Sequence, residues 1–376
     1  MPLRAISVPL LAALAGCGAD LPVTPGVSPG PPARSAELLD RACDHGALGS
    51  CQELAGLLDR GAGVPRNVPR AAQLYQRACN GGALASCTRL GSLFDSGRGV
   101  PLDHVRALPL HRRACDGQVL LGCTNLGLLY QEGHGADRDL SRAMQLHMVA
   151  CSGGTAAGCS NLGTMYENGL GVPRDYARAG QLYQRGCAGG DPQGCDDLAG
   201  LYAGGLGTPR DLARAARLEE QACAGGSASG CSNLGFLVEG GAPSPAEHAR
   251  AAELYQRACE GGAASGCHNL ALILEGGEGL ARDVPRAAEL YQEACDHGHA
   301  SSCTNLGLLL ERRAAGLFEQ ACTAGAAAGC AAWGEDLAQG RGTAANRPKG
   351  LDLLRRACAA GDAWGCSRLK DHGETP

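Results

Sequence analysis

Two cysteines eight residues apart recur along this chain, and the first member of each pair follows the last at a fixed interval. Cys43, Cys79, Cys115, Cys151, Cys187, Cys223, Cys259 and Cys295 are 36 residues apart, and the series continues at Cys322 and Cys358. Their partners are Cys51, Cys87, Cys123, Cys159, Cys195, Cys231, Cys267, Cys303, Cys330 and Cys366. Self-similarity at this period marks stacked repeats, each burying its apolar face against the next. Composition agrees. With 3% aromatic residues and 58 glycines in 376 residues, the chain has few large side chains for one deep core. Its glycines are also costly to order.

Each unit holds two helices. In "CTNLGLLYQEG" (123–133), Cys123, Leu126, Leu129 and Tyr130 share one helical face. "GHGADRD" (133–139) reads as a turn, and 139–151 as a second helix with Asp139 as N-cap and Ala143, Leu146 and Ala150 buried. Asn67, Asp103, Asp175, Asp211, Asp283 and Asn346 recur as N-caps. At 244–247, "SPAE" starts its helix a turn earlier, with Ser244 and Glu247 as a capping box. The fold class is therefore all-α: a TPR-like α/α solenoid of roughly 36-residue hairpins.

The cysteine pair then links the end of one helix to the start of the next. A disulfide over so short a loop stabilises by about 2.5 kcal/mol on the chain-entropy estimate. Such staples suit hairpins too small and glycine-rich to hold themselves. Structural zinc favours C-x2–4-C, which this spacing does not offer, so no metal or cofactor is expected.

The N-terminus reads as a processing segment. Arg4 precedes an apolar stretch, "AISVPLLAAL" (5–14), which runs into "LAGC" (14–17). The latter looks like a bacterial lipobox, implying cleavage after residue 16 and lipidation of Cys17, the one cysteine outside the pairs. Residues 17–34 are Pro/Gly-rich and read as a tether, 35–370 as the solenoid and 371–376 as a tail. The expected location is the cell envelope, at the periplasmic face of the outer membrane or the cell surface, with the lipid as the only membrane contact. Net charge of −5 gives no nucleic-acid footprint.

The pattern "C-x-N-L-G-x-L-Y-x-x-G-x-G-V-P-R-D…R-A-x-x-L-Y-Q-R-A-C" resembles the Sel1-like repeat, and within it the cysteine-rich Helicobacter-type subfamily, over 35–370. The resemblance implies a right-handed superhelix with a disulfide per repeat, and a role as adaptor, secreted virulence-associated factor or assembly factor. It also implies an alternative, binding or weak hydrolysis of β-lactams or peptidoglycan fragments. One unit departs: Cys322 follows Cys303 by 19 residues, where Cys295 follows Cys267 by 28. The turn matching "GGEGLARDVP" is missing, and the helices at 302–311 and 313–322 are joined almost directly.

Catalytic signals are weak, and no catalytic residue is assigned. Ser367 and Lys370 form a solitary S-x-x-K without the K-T-G or S-D-N elements of serine β-lactamases. Ser28 in "GVSPG" lies in the tether. Acids eight residues after the second cysteine (Asp59, Asp95, Glu167, Glu239, Glu275, Glu311) stand near Arg70, Arg106, Arg142, Arg178, Arg214, Arg250 and Arg286. Cross-hairpin ion pairing is the expectation, with a cation-binding acidic stripe as the alternative. Two residues after the second cysteine stand Asn125, Asn161, Asn233, Asn269 and Asn305. If the first helix of each unit lines the inner surface, these amides form a ladder along a binding groove. The expected function is a monomeric scaffold for a protein or peptide partner.

Overall fold

The computed structural model describes residues 31–240 and 243–375. The lipobox, Cys17 and most of the tether lie outside the described residues. Among the described residues the chain is helical throughout, with no strand, and it divides into two units at Gly225/Gly226.

Unit 1 contains α1 (Pro31–Asp44), α2 (Leu48–Arg60), α3 (Val68–Asn80), α4 (Leu84–Ser96), α5 (His104–Asp116), α6 (Leu120–Glu132), α7 (Leu140–Ser152), α8 (Ala156–Asn168), α9 (Tyr176–Ala188), α10 (Pro192–Gly204) and α11 (Leu212–Ala224). Unit 2 contains α12 (Ala228–Val238), α13 (Pro245–Glu260), α14 (Ala264–Gly276), α15 (Val284–Asp296), α16 (Ala300–Thr323), α17 (Ala327–Gln339), α18 (Arg347–Ala359) and α19 (Ala363–Asp371). Helix α1 starts four residues ahead of the expected solenoid boundary at 35.

The helix starts follow from the caps. Asn67, Asp103, Asp139, Asp175, Asp211, Asp283 and Asn346 each accept the backbone N–H three residues on. Ser244 and Glu247 make the reciprocal capping box. Nine of the cysteine pairs are bridged with Cα atoms 4.3 to 4.8 Å apart, closing the turn between one helix and the next. Cys223 and Cys231 are disulfide-bonded too.

The stapled turn needs one residue at positive φ. Glycine fills the position in most turns, as at Gly82 (φ 101°), but the third turn has Gln118 at φ 65°. A Cβ in this region costs about 1–2 kcal/mol, partly offset by the lower unfolded-state entropy of a non-glycine residue. Gln118→Gly is expected to stabilise the chain by about 0.5–1 kcal/mol, read as a higher denaturant midpoint at unchanged slope.

Two layers result. Within unit 1, α4 touches α6, α6 touches α8 and α8 touches α10; within unit 2, α12 touches α14. No odd-numbered neighbours in these stretches approach as closely. The helix that carries the second cysteine in its first turn therefore lies on the inner, more tightly curved side of each stack.

The shortened unit departs from the hairpin rule. The two helices expected at 302–311 and 313–322 are one continuous 24-residue helix, α16. Without the glycine-rich turn nothing interrupts the intrahelical hydrogen bonds, and the chain cannot fold back.

Candidate interaction surface

Four hairpins are closed by one recurring polar lock. A large polar side chain on the outer helix lies over the inner helix, where the "NLG" glycine makes room. A Cβ on Gly163 would sit 2.8 Å from the Tyr183 ring, and one on Gly235 2.7 Å from Tyr255. The buried head group then needs a partner, and the acid column supplies it. The Tyr183 hydroxyl donates to Glu167 at 2.5 Å, Tyr255 to Glu239 at 2.6 Å and Tyr291 to Glu275 at 2.9 Å. In an earlier unit His111 Nε2 meets Asp95 at 2.7 Å. Burial, together with these carboxylates, pushes the tyrosine hydroxyls well above their usual range.

This corrects the expected pairing of the acid and arginine columns. Asp95, Glu167, Glu239 and Glu275 serve the lock, while four of the arginines stack over aromatic rings of the inner helix. Arg106 lies 4.1 Å from the Phe94 ring centroid, Arg142 4.9 Å from Tyr130, Arg178 4.7 Å from Tyr166 and Arg214 4.5 Å from Tyr202. Where acids do form ion pairs with arginine, the partner comes from further along the chain, as in Asp59–Arg98 (3.0 Å) and Glu275–Arg312 (2.8 Å).

One lock is chemically mismatched, and a second one, though complete, has a buried carboxyl beside it. His147 is fully buried opposite Gln131, and neither its ring nitrogens nor Gln131 Oε1 finds a hydrogen-bond partner. Burial lowers the His147 pKa to about 4. Near Tyr183, Asp197 occupies the asparagine column. Burial raises its pKa to about 7, assisted by the carboxylates of Asp196, Glu167 and Asp191 and opposed by an amide bond from Gln193.

The amide ladder lies on the inner helices, and its members differ in their surroundings. Asn125 donates to Ser92 of the preceding inner helix at 3.2 Å. Asn269 and Asn305 hydrogen-bond the hydroxyls of Tyr255 and Tyr291. Asn161 is half-buried and Asn233 exposed.

Three residues beyond the amides, unit 2 carries a feature the sequence reading missed. Phe236 (69% exposed), Leu272 (44%) and Leu308 (45%) are the same position of α12, α14 and α16. They form an apolar stripe beside Asn233, Asn269 and Asn305. Unit 1 has Gly56, Ser92, Leu128, Thr164 and Gly200 at this position, without three large apolar residues in sequence. Aligning the column 36 residues at a time would have found it.

Chemistry of the enzymatic kind has little to stand on. Ser367 and Lys370 are both exposed on α19. One group of potential metal ligands comes together among the described residues, Cys259, Cys267 and Glu293. The two cysteines are bridged to each other, so they offer no thiolate. No described helix is long and apolar enough to cross a membrane.

The Sel1 repeat pattern matches residues 49–82, 84–119, 120–154, 156–191, 192–227, 228–262, 264–299 and 327–362. The chain belongs to the Sel1 repeat family. Sel1 repeat proteins are generally protein-interaction scaffolds. The match lapses over 300–326, the stretch that contains the whole of α16. Among solved structures, the protective antigen c5321 of uropathogenic Escherichia coli, which displays an SLR fold, is 28% identical with a TM-score of 0.50. That alignment covers 89% of this chain and 74% of the antigen. A Sel1 repeat protein from Oxalobacter formigenes is 23% identical with a TM-score of 0.51, over 60% of this chain and 96% of its own. No curated protein matches the chain.

Proposed function

We propose that this Sel1 repeat protein is an exported scaffold, tethered to the cell envelope through a lipidated Cys17, that captures extended segments of protein partners on the inner face of unit 2. The density of disulfides supports an oxidising compartment. The lipid anchor rests on the "LAGC" sequence at 14–17. The observation that carries the binding site is the stripe of Phe236, Leu272 and Leu308.

Helices in contact pack about 8–10 Å apart, so Phe236 and Leu272, on the touching helices α12 and α14, are separated by about that distance. A polyproline-like or extended peptide advances about 9–10 Å in three residues. The preferred ligand is a segment with an apolar side chain at every third position. The adjoining asparagine amides carry both donors and acceptors and suit its backbone groups. Asn125 and Asn161 of unit 1 offer amides without the apolar stripe, and are secondary contacts in this reading.

Panning a displayed peptide library on the purified protein tests the site. Selected peptides are expected to show the three-residue apolar spacing. Phe236→Asp with Leu272→Asp is expected to weaken them at least about tenfold, roughly 1.4 kcal/mol, with helicity unchanged because both side chains are exposed. Peptides that bind the double variant normally would place the site elsewhere.

A further inference from the structure

Helix α16 leaves uncovered a face that every intact hairpin buries. In the preceding hairpin, Leu290 and Tyr291 are almost fully buried against the inner helix. Their counterparts Leu317 and Phe318 are 55% and 36% exposed. Leu310, the counterpart of the half-buried Leu274, is 50% exposed. Gly307 stands in the column where Gly235 receives the Tyr255 ring, yet nothing lies within 4 Å of where its Cβ would be. Gly307, Leu310, Leu317 and Phe318 fall on one side of the helix by their spacing. Leu308 of the peptide-binding stripe points well away from that side.

These residues are the two halves of one hairpin interface, laid end to end on a single rod. We propose that α16 pairs with α16 of a second copy of this chain, antiparallel about a twofold axis near Arg312 and Arg313. The complement of each half is specified by the intact hairpins: a glycine-bearing inner segment takes an aromatic-bearing outer segment running antiparallel. Loss of nine residues relative to the preceding hairpin prevents α16 from supplying that complement to itself. A second α16 carries both complements, in the order a twofold axis requires, so Gly307 of each copy receives Phe318 of the other. Exchanging a hairpin partner between copies is a low-cost route to a closed, isologous dimer. Charge near the axis is also met. Phe318 has no hydroxyl to give Glu311, as Tyr291 gives Glu275, so the Glu311 carboxylate remains to offset Arg313 across the axis.

Light scattering on the purified chain between about 1 and 100 µM decides the matter, since dimer population follows protomer concentration. The expected result is twice the chain mass at the upper end. Leu310→Glu with Leu317→Glu is expected to give the single mass with unchanged circular dichroism. A second variant restores the missing turn, inserting GEGLARDVP (the sequence of 277–285) between Arg312 and Arg313. It lets α16 fold back and is expected to be monomeric while fully helical. If the double glutamate variant unfolds, the insertion variant alone decides. A single mass for the unaltered chain at 100 µM would overturn the proposal, even if another protein docks on α16. So would a double mass that survives the inserted turn.

Discussion

Asp197→Asn is expected to stabilise the chain by about 2–4 kcal/mol at pH 8 and by almost nothing at pH 4. Burial, with Asp196, Glu167 and Asp191 around it, raises the folded-state pKa of Asp197 to about 7 from an ordinary value of 3.8. Between those two values the folded chain holds a proton that the unfolded chain has released. Stability therefore falls as pH rises through this window, and the full penalty is present above pH 7. Asparagine removes the charge while keeping the shape. It is also the residue that the same column uses at 125, 161, 233, 269 and 305, and at 269 it hydrogen-bonds the neighbouring tyrosine hydroxyl. An amide at 197 could do the same for Tyr183. Denaturant midpoints of both chains at pH 4 and pH 8 check this; an equal shift at the two pH values would rule out ionisation as the cause.

The helices were legible because their signals are local. A cap such as Asp139 acts three residues away, and a cysteine staple acts over eight, so sequence spacing alone reports both. The polar lock was not legible in the same way. Acids such as Glu275 and tyrosines such as Tyr291 are 16 residues apart across a turn, and only the antiparallel return of the outer helix brings them together. Formal charge pairs the acids with the nearest cations, whereas a buried phenol hydroxyl, costly to leave unpaired, has the stronger claim. The arginines then fall to the aromatic faces beside them. The apolar stripe was hidden for a different reason. Phe236, Leu272 and Leu308 look like ordinary core residues in sequence, and only the curvature of the inner layer shows that nothing covers them. The fused helix was visible as a nine-residue deficit, but its consequence, an open hairpin interface, depends on where the second half of the helix points.

His147 is expected to make unit 1 acid-sensitive, and replacing it with the tyrosine of its column is expected to cure the defect. The ring is fully buried and its pKa lies near 4, against 6.5 when exposed. Its folded-state pKa is depressed, so the stability that depends on neutral His147 is complete above pH 6.5. It is lost progressively as pH falls toward 4, where the loss levels off at about 3 kcal/mol. Gln131 opposite gives no relief, since its buried carbonyl oxygen also lacks a partner. The neighbouring repeats show the working solution, a tyrosine hydroxyl donating to a carboxylate across a glycine. His147→Tyr with Gln131→Glu installs it, and Gly127 already supplies the gap, since a Cβ there would sit 2.6 Å from the His147 ring. The double variant is expected to gain about 1–3 kcal/mol at neutral pH by pairing two buried polar groups, and to lose most of the downward slope between pH 6.5 and 4. His147→Tyr alone separates the contributions: it removes the titrating imidazole but leaves its hydroxyl facing an amide instead of a carboxylate. Hydrogen exchange of the α6–α7 hairpin, followed from pH 7 to pH 4.5, reads the effect locally. A protection loss on acidification that is the same with and without the imidazole would show that another group governs the acid response.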